Sequence, residues 1–196
     1  MILSDFKTAK TLIETYHYSG SCPVGAGFIV VDQGKPVAAA VFGNSSGRRN
    51  FSGRVVELRR LVKVPGSHVV LTSFLSRCLK NLRHVDTKYH LVLAYADPAQ
   101  NHHGGVYQAC SWNYHGLSAK GTEGFMIDGE YVYRRNLYDM YGTSSFKKLQ
   151  ELLPDKTVEH ARSGGKHVYW KNLTIRGSFL AKELGLRSIP YWKETQ

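Results

Sequence analysis

The chain has 196 residues, 42% hydrophobic and 21% charged, enough to bury a core within one domain. Its net charge of +11 and pI near 9.6 exceed what solubility requires and point to a polyanionic partner. Three cysteines (Cys22, Cys78, Cys110) without CxxC spacing argue against a disulfide framework or a zinc cage, and no apolar run is long enough to span a bilayer. With no signal-peptide order at the N-terminus, a cytoplasmic location is expected.

Taken in order, the pattern predicts a mixed α/β chain. Phe6, Ala9, Leu12, Ile13 and Tyr16 fall at helical spacing after Ser4, the expected N-cap, with a loop opening at His17-Tyr18-Ser19-Gly20. Strands over 28–32 and 37–42 flank the turn Gln33-Gly34-Lys35-Pro36, and a third, over 55–64, completes an antiparallel meander. The stripe Leu71, Phe74, Leu75, Cys78, Leu79 and Leu82 predicts a crossover helix returning to a parallel strand over 89–96. A short helix is expected over 105–111, and a hairpin of 125–127 and 131–134 around Asp128-Gly129. Ser144 is read as the cap of a helix ending before Pro154, followed by a strand over 167–173 and a helix over 177–184. The domain reading is a single unit over 1–196, with a basic strand-and-helix appendage over 160–196.

Positive charge is clustered. Between Gly43 and Gly66 six basic residues (Arg48, Arg49, Arg54, Arg59, Arg60, Lys63) face one acid, Glu57, and Arg134-Arg135 and Lys147-Lys148 add further patches. Such patches neutralise phosphates. Charge alone leaves DNA and RNA both open, beside the plainer reading of solvated faces.

The densest chemistry lies in Ala96-Asp97-Pro98 and Asn101-His102-His103, then Gly105 to Gly116 with Tyr107, Trp112 and Tyr114. Asp97 falls at the carboxyl end of an apolar strand, where α/β sheets open their ligand crevices, although an Asp before Pro also starts turns. Arg59 and Arg60 alternate on a strand, so one faces a cleft as a contact for phosphate or cofactor. Thr72 and Ser73 near a helix N-terminus are candidate cofactor contacts, or simple capping hydroxyls. Cys78 reads as core and Cys110 as a weak nucleophile.

The element order resembles the GNAT acyltransferase superfamily. The stretch Lys63-Val64-Pro65-Gly66-Ser67-His68 departs from the glycine-rich loop that holds coenzyme A in that superfamily, because one glycine is in place and Pro65 removes an N–H donor. A narrower resemblance rests on His17-Tyr18-Ser19, Glu57-Leu58-Arg59-Arg60-Leu61, Ala96-Asp97-Pro98 and Gly105-x-Tyr107-Gln108-Ala109-x-x-Trp112-x-Tyr114-x-Gly116. In that order these pieces resemble the bacteriophage Mom family, which is GNAT-like.

The resemblance implies an enzyme converting adenine in double-stranded DNA to N6-carbamoylmethyladenine, an anti-restriction modification. It also implies bound iron, Fe2+ or Fe3+, on His17, Tyr18, Asp97 and Tyr107, residues that would also be catalytic. An acyl-CoA-like donor and a homodimer are further expectations. An adenine amine within a duplex is stacked, so the base must be flipped. Trp112 and Tyr114 would then sandwich it while Arg48, Arg49 and Arg134 hold flanking phosphates; core packing is the alternative for Trp112. Two other functions fit the residues: an acetyl-CoA-dependent N-acetyltransferase, and a non-catalytic basic DNA-binding protein.

Overall fold

In a computed structural model the chain is described over residues 2–45, 53–118, 121 and 123–191. The elements up to the middle of the chain are β1 (Ile2–Ser4), α1 (Phe6–Tyr16), β2 (Ala26–Asp32), β3 (Lys35–Asn44), β4 (Val55–Lys63), α2 (Leu71–Val85) and β5 (Leu91–Ala96). A 3-10 turn (Pro98–Gln100), α3 (Gly105–Ala109), β6 (Asn113–Leu117), β7 (Glu123–Ile127), β8 (Glu130–Tyr133) and α4 (Arg134–Tyr141) follow. The last elements are α5 (Phe146–Leu152), β9 (Val158–Arg162), β10 (His167–Asn172) and α6 (Arg176–Glu183).

These elements form two compact units. The described residues of Met1–Ala96, Gly104–Gly116 and Val168–Gln196 make the first, and those of Asp97–His103 and Leu117–His167 the second.

The first unit is built on a sheet of order β1-β2-β3-β4-β5-β10-β6. Strands β1 to β4 are antiparallel, and β4 pairs with β5 in parallel. Along β3 the alternation of pleated side chains sends Ala38, Ala40 and Phe42 into one core cluster, with Phe74, Leu75, Cys78, Leu79 and Leu82 of α2. Ala39 and Val41 join a second, with Ala9, Leu12 and Ile13 of α1. Covered on both faces, β3 reads as a near-continuous apolar run. Each large side chain buried in these clusters contributes about 1.5–3 kcal/mol.

Helix α1 corrects one detail. Its cap is Asp5, whose Oδ1 accepts from Thr8 N–H at 3.0 Å, while Ser4 is taken up by the β1 ladder opposite Phe28. A carboxylate at the helix N-terminus gains from the dipole as well as from the hydrogen bond.

The second unit holds a three-stranded antiparallel sheet, order β8-β7-β9. Phe125, Ile127 and Val158 from its strands meet Leu137 of α4 and Leu149 of α5 in one core. Asp128 (φ 51°) and Gly129 (φ 83°) turn the expected hairpin, the positive-φ pair such tight turns require. Arg134, expected to end a strand, instead begins α4. The residue at the N-cap of α5 is Ser145 rather than Ser144. No described helix is long and apolar enough to cross a membrane.

Candidate active site

Asp97 belongs to the second unit and is 6% exposed. Its Oδ1 accepts from Ala99 N–H at 3.1 Å, which caps the 3-10 turn and fulfils the turn-starting role an Asp-Pro pair suggests. Oδ2 accepts from the Tyr133 hydroxyl at 2.9 Å and stands 3.0 Å from Lys166 Nζ. Burial alone pushes this carboxyl up; the Lys166 ammonium, the Tyr133 hydroxyl and the Ala99 N–H together outweigh it and hold Asp97 below the usual carboxylate value. Sequence reading missed both side-chain partners. Lys166 is held in turn: its N–H donates to Ser118 Oγ at 2.9 Å and its carbonyl accepts from Ser118 N–H at 2.8 Å.

Two histidine rings lie in the same unit, His167 buried and His103 half-buried. His103 and His167 meet edge to face at 5.8 Å. Burial and the neighbouring His103 lower the His167 imidazole, so it resists protonation.

In the first unit Tyr107 lies among aromatic rings, with Trp112 and Tyr169 each 5.2 Å away and Tyr114 5.1 Å beyond Tyr169. Gln108 Nε2 donates to the Tyr169 hydroxyl at 2.9 Å. Burial drives the Tyr107 phenol well above its ordinary value, and Tyr18 and Tyr169 add to the shift. At the C-cap of α1, His17 lies 4.3 Å from the Tyr18 ring. Its Nδ1 is engaged by Ser19, at 2.9 Å from Oγ and 3.1 Å from the backbone N–H. Three of the four expected metal ligands, His17, Tyr18 and Tyr107, therefore share the first unit, while Asp97 sits in the second and is engaged by an ammonium.

Among the described residues no three His, Cys, Asp or Glu side chains converge as a metal site would require. A metal in the first unit would thus rely on phenol oxygens. The mixed set of one imidazole and two phenols fits iron better than zinc or copper by donor type, but the Ser19 N–H donating to Nδ1 leaves the neutral His17 ring's proton on Nε2, so that nitrogen must lose its proton before it could ligate.

The pairing of β4 with β5 ends at Leu58↔Ala94, although the strands run on to Lys63 and Ala96. The two strands part there. Arg59 is also a bulge residue, since Val41 faces Arg60 while Phe42 faces Leu58. Arg59 lies across Gly43, where an added Cβ would come 2.9 Å from its Cδ. Arg60 is drawn to the backbone instead, its Nε donating to Ser21 O at 3.0 Å and an Nη to Arg59 O at 2.7 Å. Thr72 and Ser73 stand in the first turn of α2, whose cap residue Val70 offers no side-chain acceptor.

The expected DNA contacts divide. Trp112 is fully buried and Tyr114 4% exposed, so both are core, and neither offers a free face to an extruded base. Arg134 is on the surface, 3.5 Å from Glu123, which also pairs with Arg162 at 3.2 Å. Arg48 and Arg49 lie outside the described residues. By sequence position the first unit carries 18 of the 26 Lys and Arg and 7 of the 15 acids, and the second carries 8 of each. The whole excess of +11 thus falls in the first unit.

Solved structures share this architecture. An N-acetyltransferase from Staphylococcus aureus Mu50 matches with a TM-score of 0.51 at 10% identity, over 89% of this chain and 98% of that one. The Salmonella typhimurium protein yncA, solved with its cofactor acetyl-CoA, matches at 0.51 and 11% identity, over 89% and 94%. A ribosomal-protein-alanine N-acetyltransferase from Brucella melitensis matches at 0.50 and 9%, over 88% and 99%. The meander, crossover helix and parting parallel strands are those of a GNAT-like fold. Within that class the sequence matches the Mom protein family over residues 3–193, and the chain belongs to that family. A comparison with curated proteins found no match.

Proposed function

We propose that this protein modifies DNA, converting adenine to N6-carbamoylmethyladenine and so shielding the DNA from restriction endonucleases. The observation that carries the proposal is family membership over residues 3–193 on a GNAT-like sheet whose β4 and β5 part after Leu58 and Ala94. Between such strands, free backbone groups can take the arm of an acyl-CoA-like donor. Thr72, Ser73 and the first turn of α2 would face its phosphates. Arg59, displaced by the bulge, is the better placed of the two arginines to reach donor or phosphate.

Asp97 is read as the acceptor of the proton that the adenine amine loses as its new N–C bond forms and the bond between the transferred group and its acyl-CoA-like carrier breaks, the carrier thiol leaving. Lys166 and Tyr133 fix the carboxylate in place, while their contacts, which hold it below the ordinary carboxylate value, make it a weaker base than a free aspartate. His17, Tyr18 and Tyr107 would hold the iron that the family resemblance implies. When bound, iron supplies Lewis-acid polarisation of a donor carbonyl or an oxidative step. With Trp112 and Tyr114 in the core, an extruded base must be received by other surfaces.

A conventional N-acetyltransferase is the second reading, favoured by the fold neighbour solved with acetyl-CoA. It requires tight coenzyme A binding at a loop where Pro65 withholds an N–H. The decisive experiment expresses the intact chain and its Asp97→Ala variant in a bacterial host and analyses the DNA nucleosides by mass spectrometry. A carbamoylmethyl-sized increase on deoxyadenosine with the intact chain alone is expected. Unmodified DNA from cells holding folded intact protein refutes the reading, and a thermal shift with acetyl-CoA would then support the second.

A further inference from the structure

The first unit concentrates the positive charge, and one of its helices displays an uncompensated row. Helix α2 buries Phe74, Leu75, Cys78, Leu79 and Leu82 against the sheet. Its opposite face exposes Ser73, Ser76, Arg77, Lys80, Arg83 and His84. No acidic residue occurs within the helix. Arg77, Lys80 and Arg83 form no ion pair among the described residues, whereas nearby Lys88 is bound to Asp86 at 2.8 Å.

Such a row opposes helix stability. Arg77, Lys80 and Arg83 follow one another at i, i+3 spacing, where like charges repel. The helix dipole favours Arg83 and His84 in the last turn but offers nothing to Arg77 and Lys80. An amphipathic surface helix ordinarily mixes charges of both signs on its outer face. A row of one sign that lowers the stability of its own helix is accounted for by an anionic partner.

Resting on the reading of the protein as a DNA modifier, we infer that the outer face of α2 docks on the phosphate backbone of duplex DNA through Arg77, Lys80 and Arg83. At 1.5 Å rise per residue the three Cα atoms are spaced about 4.5 Å apart along the helix. Long flexible side chains can fan from there to successive phosphates, and the serines of the first turns let a backbone approach closely. Contacts of this kind fix the position of the protein on the duplex and carry no sequence information.

The test is the salt dependence of binding of the intact chain to a short DNA duplex, beside the combined variant Arg77→Gln, Lys80→Gln, Arg83→Gln. Glutamine is a good former of exposed helix, so the variant folds; circular dichroism checks it. Loss of three phosphate contacts should flatten the slope of log K against log salt by roughly 2.7. The pair Lys147→Gln, Lys148→Gln in the electroneutral second unit should change it by less. Equal slopes for intact chain and triple variant overturn the inference. So does preference for an RNA duplex or anionic vesicles over DNA. Nucleoside analysis reads the chemistry separately: a flattened slope with unmodified host DNA keeps the docking face and sinks the modification reading. Modified host DNA with an unchanged slope does the reverse.

Discussion

Gly104 and Tyr169 are fitted to one another. A Cβ built on Gly104 would lie 2.2 Å from Tyr169 Cε2 and 2.6 Å from Cζ, and the glycine holds φ at +81°. Side chain and backbone conformation thus both demand glycine at the entrance to α3, which sets Tyr107 against Tyr169.

Neighbouring glycines should therefore behave oppositely. Gly104→Ala should cost about 2–4 kcal/mol, combining left-handed strain with displacement of a buried ring. Gly105→Ala, where an added Cβ meets nothing within 4 Å, should be neutral or stabilising by a few tenths of a kcal/mol. Urea unfolding of the two variants measures both; comparable losses would show that the Tyr169 ring is not the obstacle.

Lys166 and Tyr133 should matter through Asp97. In Lys166→Met the 6%-exposed carboxylate loses its counter-charge. The expected destabilisation is about 2 kcal/mol, below the roughly 3–5 of a wholly buried pair because solvent reaches the ammonium. If the protein modifies DNA as proposed, that activity should fall sharply in Lys166→Met and be restored in part by Lys166→Arg, which keeps the charge. Tyr133→Phe should lose less. A methionine variant that modifies host DNA as well as the arginine variant does would remove Lys166 from the site.

Acid should act first on His167. Its folded-state value is depressed by burial and by His103, so the unfolded chain binds the proton more readily. Stability is then complete above the ordinary histidine value of about 6.5 and falls as pH drops below it, until the folded group also protonates. Replacement by glutamine should flatten the decline between about pH 6.5 and 5. Thermal midpoints across that window check this, and parallel curves for the two proteins would exclude His167 as the cause.

Periodicity and turn chemistry carried much of the fold. Strands β2, β3 and β4 and helix α2 were legible because long apolar patterns bounded by Gly and Pro leave little choice. Strand β1 has only three residues, too few for a period, and its existence moved the helix cap from Ser4 to Asp5. Strand β6, Asn113–Leu117, and strand β9, Val158–Arg162, are polar on one side and interrupted by His and Gly or flanked by charge. Their strand character comes from their neighbours in the sheets. Within the site, Asp97 could be seen from its strand-end position, but its partners could not. Lys166 lies in Gly-Gly-Lys-His, with no motif to mark it, and Tyr133 is one tyrosine among twelve. Trp112 misled because the residue type that stacks on bases also fills cores, and composition does not separate the two.

Strand β10, formed by His167–Asn172, lies between β5 and β6 in the large sheet. During synthesis, β1 to β5 leave the ribosome long before it. Until β10 arrives, the hydrogen-bonding edge of β5, with its apolar Leu91–Ala96 run, has no neighbour on that side and is open to pairing between chains. A nascent or prematurely terminated chain ending before His167 would hence be an aggregation hazard rather than a shorter folded protein. The β5 edge stays open while residues 97–166, from the 3-10 turn to the end of the loop before β10, are being made.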